Sequence, residues 1–356
     1  MTWSATWDAS WSGSPDPVDP FVMVMLVITV LLLTTHGLVT GMRDAPNAVA
    51  LPVRTRALTA PAALWLAAAM NLLGAVLAGG MVMVVTEGVL DLIPESSTGL
   101  MLLAVGLLVS TAWAVGAWWK GMPISSTHAL TTALGGAALA LWITGDLDRV
   151  DHQLWDMVLL IVLALLISPL VAWLLAWLIV TPSVWISRNA APGAVNHRAR
   201  MTLALSGAAN ALGHGVQIGQ RLGLLTSLAL ASAGLSAFEG WWIPVACGLV
   251  LAGGTLMGGW RIAHTLTERL VQLDPMRSAV ASGVSAGLLF LGSFALHLPL
   301  SSTHTAVAAI VGAGQRQPYT AVRWPQVIRV VLYSLATVVV CFVVALILAA
   351  AFSPLI

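Results

Sequence analysis

Pro123-Ile124-Ser125-Ser126-Thr127-His128 returns as Pro299-Leu300-Ser301-Ser302-Thr303-His304, the same phrase at five of six positions, 176 residues later in a chain of 356. A match of this length at half the chain's span points to a duplicated half. Proline fits the first turn of a helix, where backbone N–H groups have no internal partner. The Ser-Ser-Thr that follows sets three hydroxyls among free donors at the positive end of the helix dipole, a position suited to an oxyanion. Ser and Thr also simply cap helices, and a single copy leaves both readings open. Two copies in a chain as apolar as this one favour binding.

The chain is 59% hydrophobic and 8% charged, with a mean hydropathy of +0.93. Soluble domains carry roughly 25% charged residues, so the composition describes a polytopic membrane protein in contact with the lipid bilayer. A net charge of +1 gives no reason to expect nucleic acid, and no Gly-rich phosphate-cradling nucleotide loop is present. Cys247 and Cys341 both lie in apolar runs and imply neither a disulfide framework nor a thiolate metal site. Residues 1–20 carry Trp3, Trp7 and Trp11, three Asp and no Lys or Arg. Without a basic start this is no signal peptide; it reads as a flexible tail that touches the membrane interface through its tryptophans.

A spanning helix needs about 20 apolar residues, and the sequence offers about ten such segments, so the fold class is all-α. They cover 21–41, 61–85, 98–118, 121–143, 153–180, 201–235, 241–260, 278–297, 299–315 and 328–350. The stretch 261–275 reads as an amphipathic surface helix. Placing the Lys/Arg-bearing connections in the cytoplasm puts both termini outside and 42–60, the region of Lys120, 181–200, 261–277 and 316–328 inside. The first phrase then starts at the cytoplasmic side and the second at the outer side. The chain divides into a tail (1–20), a first repeat (21–180), a basic cytoplasmic linker (181–200) and a second repeat (201–356) of opposite topology, an architecture of secondary transporters in which broken helices hold substrate near the midplane. A re-entrant hairpin at 121–143, bending at Gly135 and Gly136, is the alternative for that segment.

Certain residues do not belong in an apolar run. Thr40-Gly41-Met42-Arg43-Asp44-Ala45-Pro46-Asn47 interrupts the first segment with two charges, a proline and an amide. A charge at bilayer depth costs roughly 2.5–3.5 kcal/mol and is usually paired and functional. Pro46 lacks an N–H and helps to break the helix, freeing carbonyls that can bind a cation. The other reading is an exposed cytoplasmic loop. In the second half, Gly213-His214-Gly215-Val216-Gln217-Ile218-Gly219-Gln220-Arg221 is glycine-rich, suggests a second broken helix, and offers two Gln and a His but no carboxylate. His128 and His304 end the two phrases, where they could orient the hydroxyls, relay a proton or sit as ordinary core residues. His36, His264 and His297 occur singly and read as structural. Asn71 and Glu87 are pathway candidates, and the Trp pairs 118–119 and 241–242 read as interfacial anchors.

These stretches resemble the inorganic phosphate transporter (PiT) family. Its first signature, approximately N-G-F-H-D-x-A-N-A-I-A-T-S-V-x-T-R-A-L-T, is followed without a gap from Thr40 to Thr59, keeping Gly41, Asp44, Asn47, Ala48, Ala50, Val53 and Thr55 to Thr59. Its second, approximately H-G-x-N-D-A-Q-K-T-M-G, is met by His214, Gly215 and Gln220. The P-x-S-S/T-T-H phrases match twice, and Gly258-Gly259-Trp260-Arg261-Ile262 with Leu273-Asp274-Pro275 is also familiar. Departures are Thr40 for Asn, Arg43 for His, Pro46 for Ala, Leu51 for Thr and Pro52 for Ser, then Gln217 and Ile218 for the Asn-Asp pair and Leu224 for Gly.

The resemblance implies a secondary transporter of inorganic phosphate in the cell inner (cytoplasmic) membrane, cation-coupled by H+ or Na+ and needing no cofactor. It implies substrate contacts from Ser125, Ser126, Thr127, Ser301, Ser302, Thr303, Asn47, Gln217 and Arg43, and cation coupling through Asp44 and Asn47, with Asp44 a metal ligand if sodium couples. Ile218 offers no ligand to a second cation site, which favours the proton. Alternatives are a permease for sulfate or another oxyanion, and a transport-deficient, channel-like or sensor relative. No pairing of acid and base, metal cluster or complete nucleophile arrangement suggests an enzyme. A homo-oligomer is compatible with the sequence.

Overall fold

The computed structural model describes residues 19–89, 96–147, 152–235, 242–295, 300–318 and 321–355. The tail with Trp3, Trp7 and Trp11 lies outside the described residues, as do Asp91, Glu95, Asp148, Asp151, Glu239, Trp241, His297 and Pro299 and the side chain of Glu87. Every regular element among the described residues is helical. In chain order they are α1 (Pro20–Asp44), α2 (Pro46–Arg54), α3 (Ala60–Val89), α4 (Ser97–Trp119), α5 (Ser126–Thr144), α6 (His152–Ser187), α7 (Pro192–Ser232), α8 (Trp242–Met257), α9 (Trp260–His264), α10 (Pro275–Phe290), α11 (Ser302–Gln315) and α12 (Trp324–Phe352). Short π-helical turns continue α9 over Thr265–Leu270 and α10 over Leu291–Ala295.

Helix starts follow from local chemistry. Asp19 accepts a hydrogen bond from the Phe21 N–H at 2.9 Å, with Pro20 at the first helical position. Asp274 does the same for Arg277 at 2.9 Å, followed by Pro275. Ser125 and Ser301 cap α5 and α11, each accepting from the backbone N–H of the phrase's His at 3.2 Å. The outer faces are apolar: Val331, Leu332, Leu335 and Val339 of α12 are all more than half exposed, where a helix facing water would carry polar groups. Among the described residues five helices are long and apolar enough to cross a membrane, or six if the bent pair α8 and α9 with its π turn forms one span. Length and composition do not confirm the ten crossings expected: α8, α10 and α11 have only 16, 16 and 14 residues and α7 carries Asn, His, Gln and Arg along its length. At 1.5 Å per residue α11 measures about 21 Å, short of a bilayer core of about 30 Å.

The helices pack in a pattern that survives exchanging the two halves. α1 packs on α8 as α7 packs on α3; α1 packs on α4 as α7 packs on α10; α4 packs on α5 as α10 packs on α11. Each phrase-bearing helix lies against the last helix of the other half, α5 on α12 and α11 on α6. The close contact that makes this possible recurs at the spacing of the phrases: a Cβ on Gly136 would stand 2.1 Å from the Phe342 carbonyl oxygen, and one on Gly312 would stand 2.2 Å from that of Trp173.

Three expectations are corrected. The glycine-rich stretch 213–221 does not break its helix, since α7 runs unbroken for 41 residues. Its glycines serve close packing: a Cβ on Gly215 would lie 2.4 Å from the Asn71 carbonyl oxygen of α3, and one on Gly219 2.5 Å from Ala75 Cα. Gly135 and Gly136 likewise introduce no bend within α5. The stretch 261–275 is no surface helix. Ile262, Thr265, Leu266 and Leu270 are buried, the segment turns 58° from α8, and the Thr265 hydroxyl donates to the Gly121 carbonyl at 2.6 Å. At its outer edge Arg261 stacks over Trp119, 4.7 Å from the ring centroid.

Candidate functional site

The first-segment interruption is a mild break. Ala45 keeps helical backbone angles between α1 and α2, and Pro46, lacking an N–H, ends the hydrogen-bond ladder there. Arg43 and Asp44 are consequently interior rather than in an exposed loop, at 1% and 3% exposure. Arg43 Nη2 donates to Asp44 Oδ1 at 2.7 Å and Nη1 to the Ile124 carbonyl at 2.6 Å. The guanidinium thereby ties α1 to the start of the first phrase.

Both phrases converge on this carboxylate. Ser126 Oγ donates to Asp44 Oδ2 at 3.1 Å, and Thr303 Oγ1 donates to Oδ1 at 3.3 Å. Asn47 Nδ2 donates to Thr303 Oγ1 at 3.0 Å and lies 3.5 Å from Ser302 Oγ. The expected placement of the two phrase starts at opposite faces therefore gives way to a meeting at one point. The residues ahead of each helix, Met122 to Ser125 and Leu300 to Ser301, are buried, so α5 and α11 begin inside the protein with their N-termini aimed at the same region.

Within each phrase the serines divide their roles. Ser125 and Ser301 are caps, as above, while Ser126, Thr127, Ser302 and Thr303 turn their hydroxyls to side chains on α1, α2 and α7. The phrase histidines pack on each other, with ring centroids 5.1 Å apart. His304 Nε2 lies 2.8 Å from Ser334 Oγ, and His128 Nδ1 is buried without a partner. His36 is held by Thr111 at 2.9 Å, the structural place expected of it.

Helix α7 supplies the wall opposite Asp44. Ser206, Asn210, His214, Gln217 and Arg221 recur at steps of three and four and so share one face. His214 Nε2 lies 3.5 Å from Asp44 Oδ2, and Nδ1 lies 3.0 Å from Asn71 Oδ1. Arg221 Nη2 donates to Thr127 Oγ1 at 2.6 Å. Arg221 Nη1, Gln217 Nε2 and Asn47 Oδ1 are buried with no hydrogen-bond partner, which is costly unless a ligand or water fills the role.

Arg221, His214 and Asn71 contribute more to this geometry than their sequence positions suggest. The α7 stripe was visible as a three-and-four spacing of polar residues in an apolar segment, a signal obscured by reading the same stretch for its glycines. Among the described residues no three of His, Cys, Asp or Glu gather as a metal-binding group. Two narrow cavities flank Asn47, one lined by Asp44, Asn71, Asn210, His214 and Ser302, the other by Leu51, Leu266, Ser282 and Ser285. Each has a volume of about 10 Å³, room for roughly one water.

Comparison with known proteins agrees with these features. The sequence profile described as "Phosphate transporter family" matches twice, over residues 40–196 and 186–345. A probable low-affinity inorganic phosphate transporter of Rhizobium meliloti is 31% identical over 312 residues, covering 87% of this chain and 90% of the relative. One of Bacillus subtilis with the same description is 27% identical over 313 residues, covering 85% and 90%. Among solved structures, "The sodium-dependent phosphate transporter" superposes with a TM-score of 0.73 at 17% identity, over 94% of this chain and 100% of that one, a likeness of fold. With the first signature's carboxylate and both hydroxyl phrases gathered at one buried point, the chain belongs to the phosphate transporter family.

Proposed function

We propose that this protein carries inorganic phosphate across the cytoplasmic membrane as a cation-coupled secondary transporter working by alternating access. The observation that carries the reading is the meeting of two hydroxyl-bearing helix N-termini with Arg221, whose Nη1 is buried and unpartnered. Helix N-termini and a guanidinium are complementary to a tetrahedral oxyanion. Ser126, Thr127, Ser302, Thr303, Asn47 and Gln217 would supply neutral donors around it. Arg43, already engaged by Asp44 and Ile124, would set the local charge rather than touch the substrate.

The exchangeable packing of the halves and the twofold family match support two repeats, 21–180 and 201–356, joined by 181–200. Cavities with room for one water cannot hold phosphate, so the helix starts must part to admit it, which favours a gate that opens to one side at a time. A proton is favoured over sodium as coupling ion. Asp44 already accepts from Arg43, Ser126 and Thr303, and Ile218 offers no second carboxylate.

Uptake of labelled phosphate into proteoliposomes, under imposed proton or sodium gradients and with sulfate as competitor, tests the proposal. Accumulation driven by a pH gradient, lost in Arg221→Gln and little affected by excess sulfate, is the expected result. Absence of phosphate flux under every gradient refutes it.

A further inference from the structure

We propose that the seam between α2, α7 and α10 is the cytoplasmic route of phosphate to and from the site, lined by Ser282 and Ser285 of α10 and Asn210 of α7; the cargo rests on the transport reading above. Both α2 and α10 pack on α7 and only lightly on each other, which leaves a line along which the three helices can part. The Lys/Arg-bearing connections 42–60, 181–200 and 261–277 place the end of α2 and the starts of α7 and α10 on the cytoplasmic side.

The inner surface of this seam is polar where helix contacts are ordinarily apolar. Ser278, Ser282 and Ser285 recur at steps of four and three and share one face of α10. All three are buried, at 0%, 3% and 1% exposure. Ser282 is tied to α7: its hydroxyl accepts from Ser206 Oγ at 2.8 Å, and its carbonyl accepts from Asn210 Nδ2 at 3.0 Å. A backbone carbonyl only accepts, so it fixes the orientation of the amide and leaves Asn210 Oδ1 buried with no partner. Ser278 Oγ and Ser285 Oγ are also unpartnered, although a helical serine can bond to the carbonyl one turn back. Buried polar atoms with nothing to bond are costly unless water or a passing solute engages them.

These atoms border space that leads to the site. Ser282 and Ser285 line one of the two small cavities beside Asn47. Asn210 lines the other, with Asp44, His214 and Ser302, and the two adjoin at the Asn47 side chain, which borders both. From Ser285 to Ser278 the polar face runs about 10 Å, and Ser278 stands one turn inside the start of α10 at Pro275. The lining suits an anion in transit. Hydroxyls can turn a proton toward it, and among the described residues no charged side chain lines the cavity beside Ser282 and Ser285, so the anion is neither repelled nor trapped there. Toward the cytoplasmic end Arg277 is tied to Asp274 and to the Arg316 carbonyl at 2.9 Å. Arg54, one turn past the Leu51 of the cavity wall, pairs with Glu268; this pair joins α2 to the π-helical turn after α9 and holds the seam shut at that end.

Cysteine accessibility in the full chain tests the route. Ser285→Cys is exposed to the anionic, membrane-impermeant reagent sulfonatoethyl methanethiosulfonate in inside-out and in right-side-out membrane vesicles. The wild-type chain, whose Cys247 and Cys341 are buried, sets the background. Ser285→Cys sacrifices no hydrogen bond of the serine hydroxyl, and Ala281→Cys, on the same cavity wall, takes its place if that variant does not fold. A thiol reacts as the thiolate and stays inert in apolar surroundings, so the expected labelling, about tenfold faster from the cytoplasmic side than from the other, reports an aqueous opening. Millimolar phosphate should slow it several-fold. Labelling at the background rate, or no faster from the cytoplasmic side than from the outer side, overturns the route. Cytoplasmic labelling that phosphate does not slow overturns it as well, since the opening then serves water alone. One-sided labelling slowed by phosphate, in a chain that moves no phosphate under any gradient, retains the seam as the way to the site and refutes the transport reading instead.

Discussion

Replacing Gly215 by Ala tests the link between helix packing and the site. The added Cβ would stand 2.4 Å from the Asn71 carbonyl oxygen and 2.7 Å from its Cα. Ordinary contact begins near 3.4 Å, so α3 must retreat by about 1 Å, because backbone atoms have no rotamer with which to escape. Overpacking of this kind costs about 1–3 kcal/mol. The same displacement stretches the 3.0 Å contact between His214 Nδ1 and Asn71 Oδ1 beyond hydrogen-bonding range, adding about 1 kcal/mol. The expected loss is about 2–4 kcal/mol, or roughly 30- to 700-fold in the folding equilibrium. Unfolding of the purified protein in mixed detergent micelles measures it. Gly287→Ala is the control, since a Cβ there meets nothing within 4 Å and Ala is the better helix former by about 1 kcal/mol. If Gly215→Ala unfolds at the wild-type midpoint, the close approach of α7 to α3 does not hold the site in place.

Arg43→Ala leaves the Asp44 carboxylate buried without its cation and should destabilise by about 3–5 kcal/mol; Arg43→Ala combined with Asp44→Asn should recover part of this, checked in the same unfolding assay. Ser125→Ala and Ser301→Ala each remove a cap bond to a phrase histidine, for an expected loss of about 1 kcal/mol apiece, with slower phosphate uptake as the helix starts lose definition. At the end of α5, the Ser353 and Thr144 hydroxyls hold the exposed Asp146 carboxyl below its usual range. A depressed carboxyl contributes stability above its unfolded value near 3.8 that disappears as pH falls through the folded value. Ser353→Ala should remove most of that acid dependence, read as protease sensitivity of the C-terminus between roughly pH 2 and 5.

The membrane class, the duplicated phrase and the need of the Asp44 charge for a partner were all legible in the residues. Composition alone excludes a soluble fold, and a charge that interrupts an apolar run demands a partner. The α7 stretch was misread because glycine has two meanings that local sequence does not separate. It releases the backbone to bend, and it lets a neighbouring helix come within contact distance. Here Gly215 and Gly219 do the second, since Asn71 and Ala75 lie against them. Ten crossings are not confirmed for a related reason: hydropathy identifies apolar segments but does not reveal that α5 and α11 begin inside the protein.

The sequence by itself determined that hydroxyls would stand at two helix N-termini, because a serine side chain at the cap accepts from a backbone N–H that has no partner within the helix. Only the tertiary structure decided that both N-termini point at the same carboxylate, and that His214 and Arg221, two turns apart on one face of an unbroken helix, reach Asp44 and Thr127 respectively. Contacts between Asp44 and Thr303 span 259 positions, a separation at which local preference carries no information. They are set by the way each half packs its last helix on the other half's phrase.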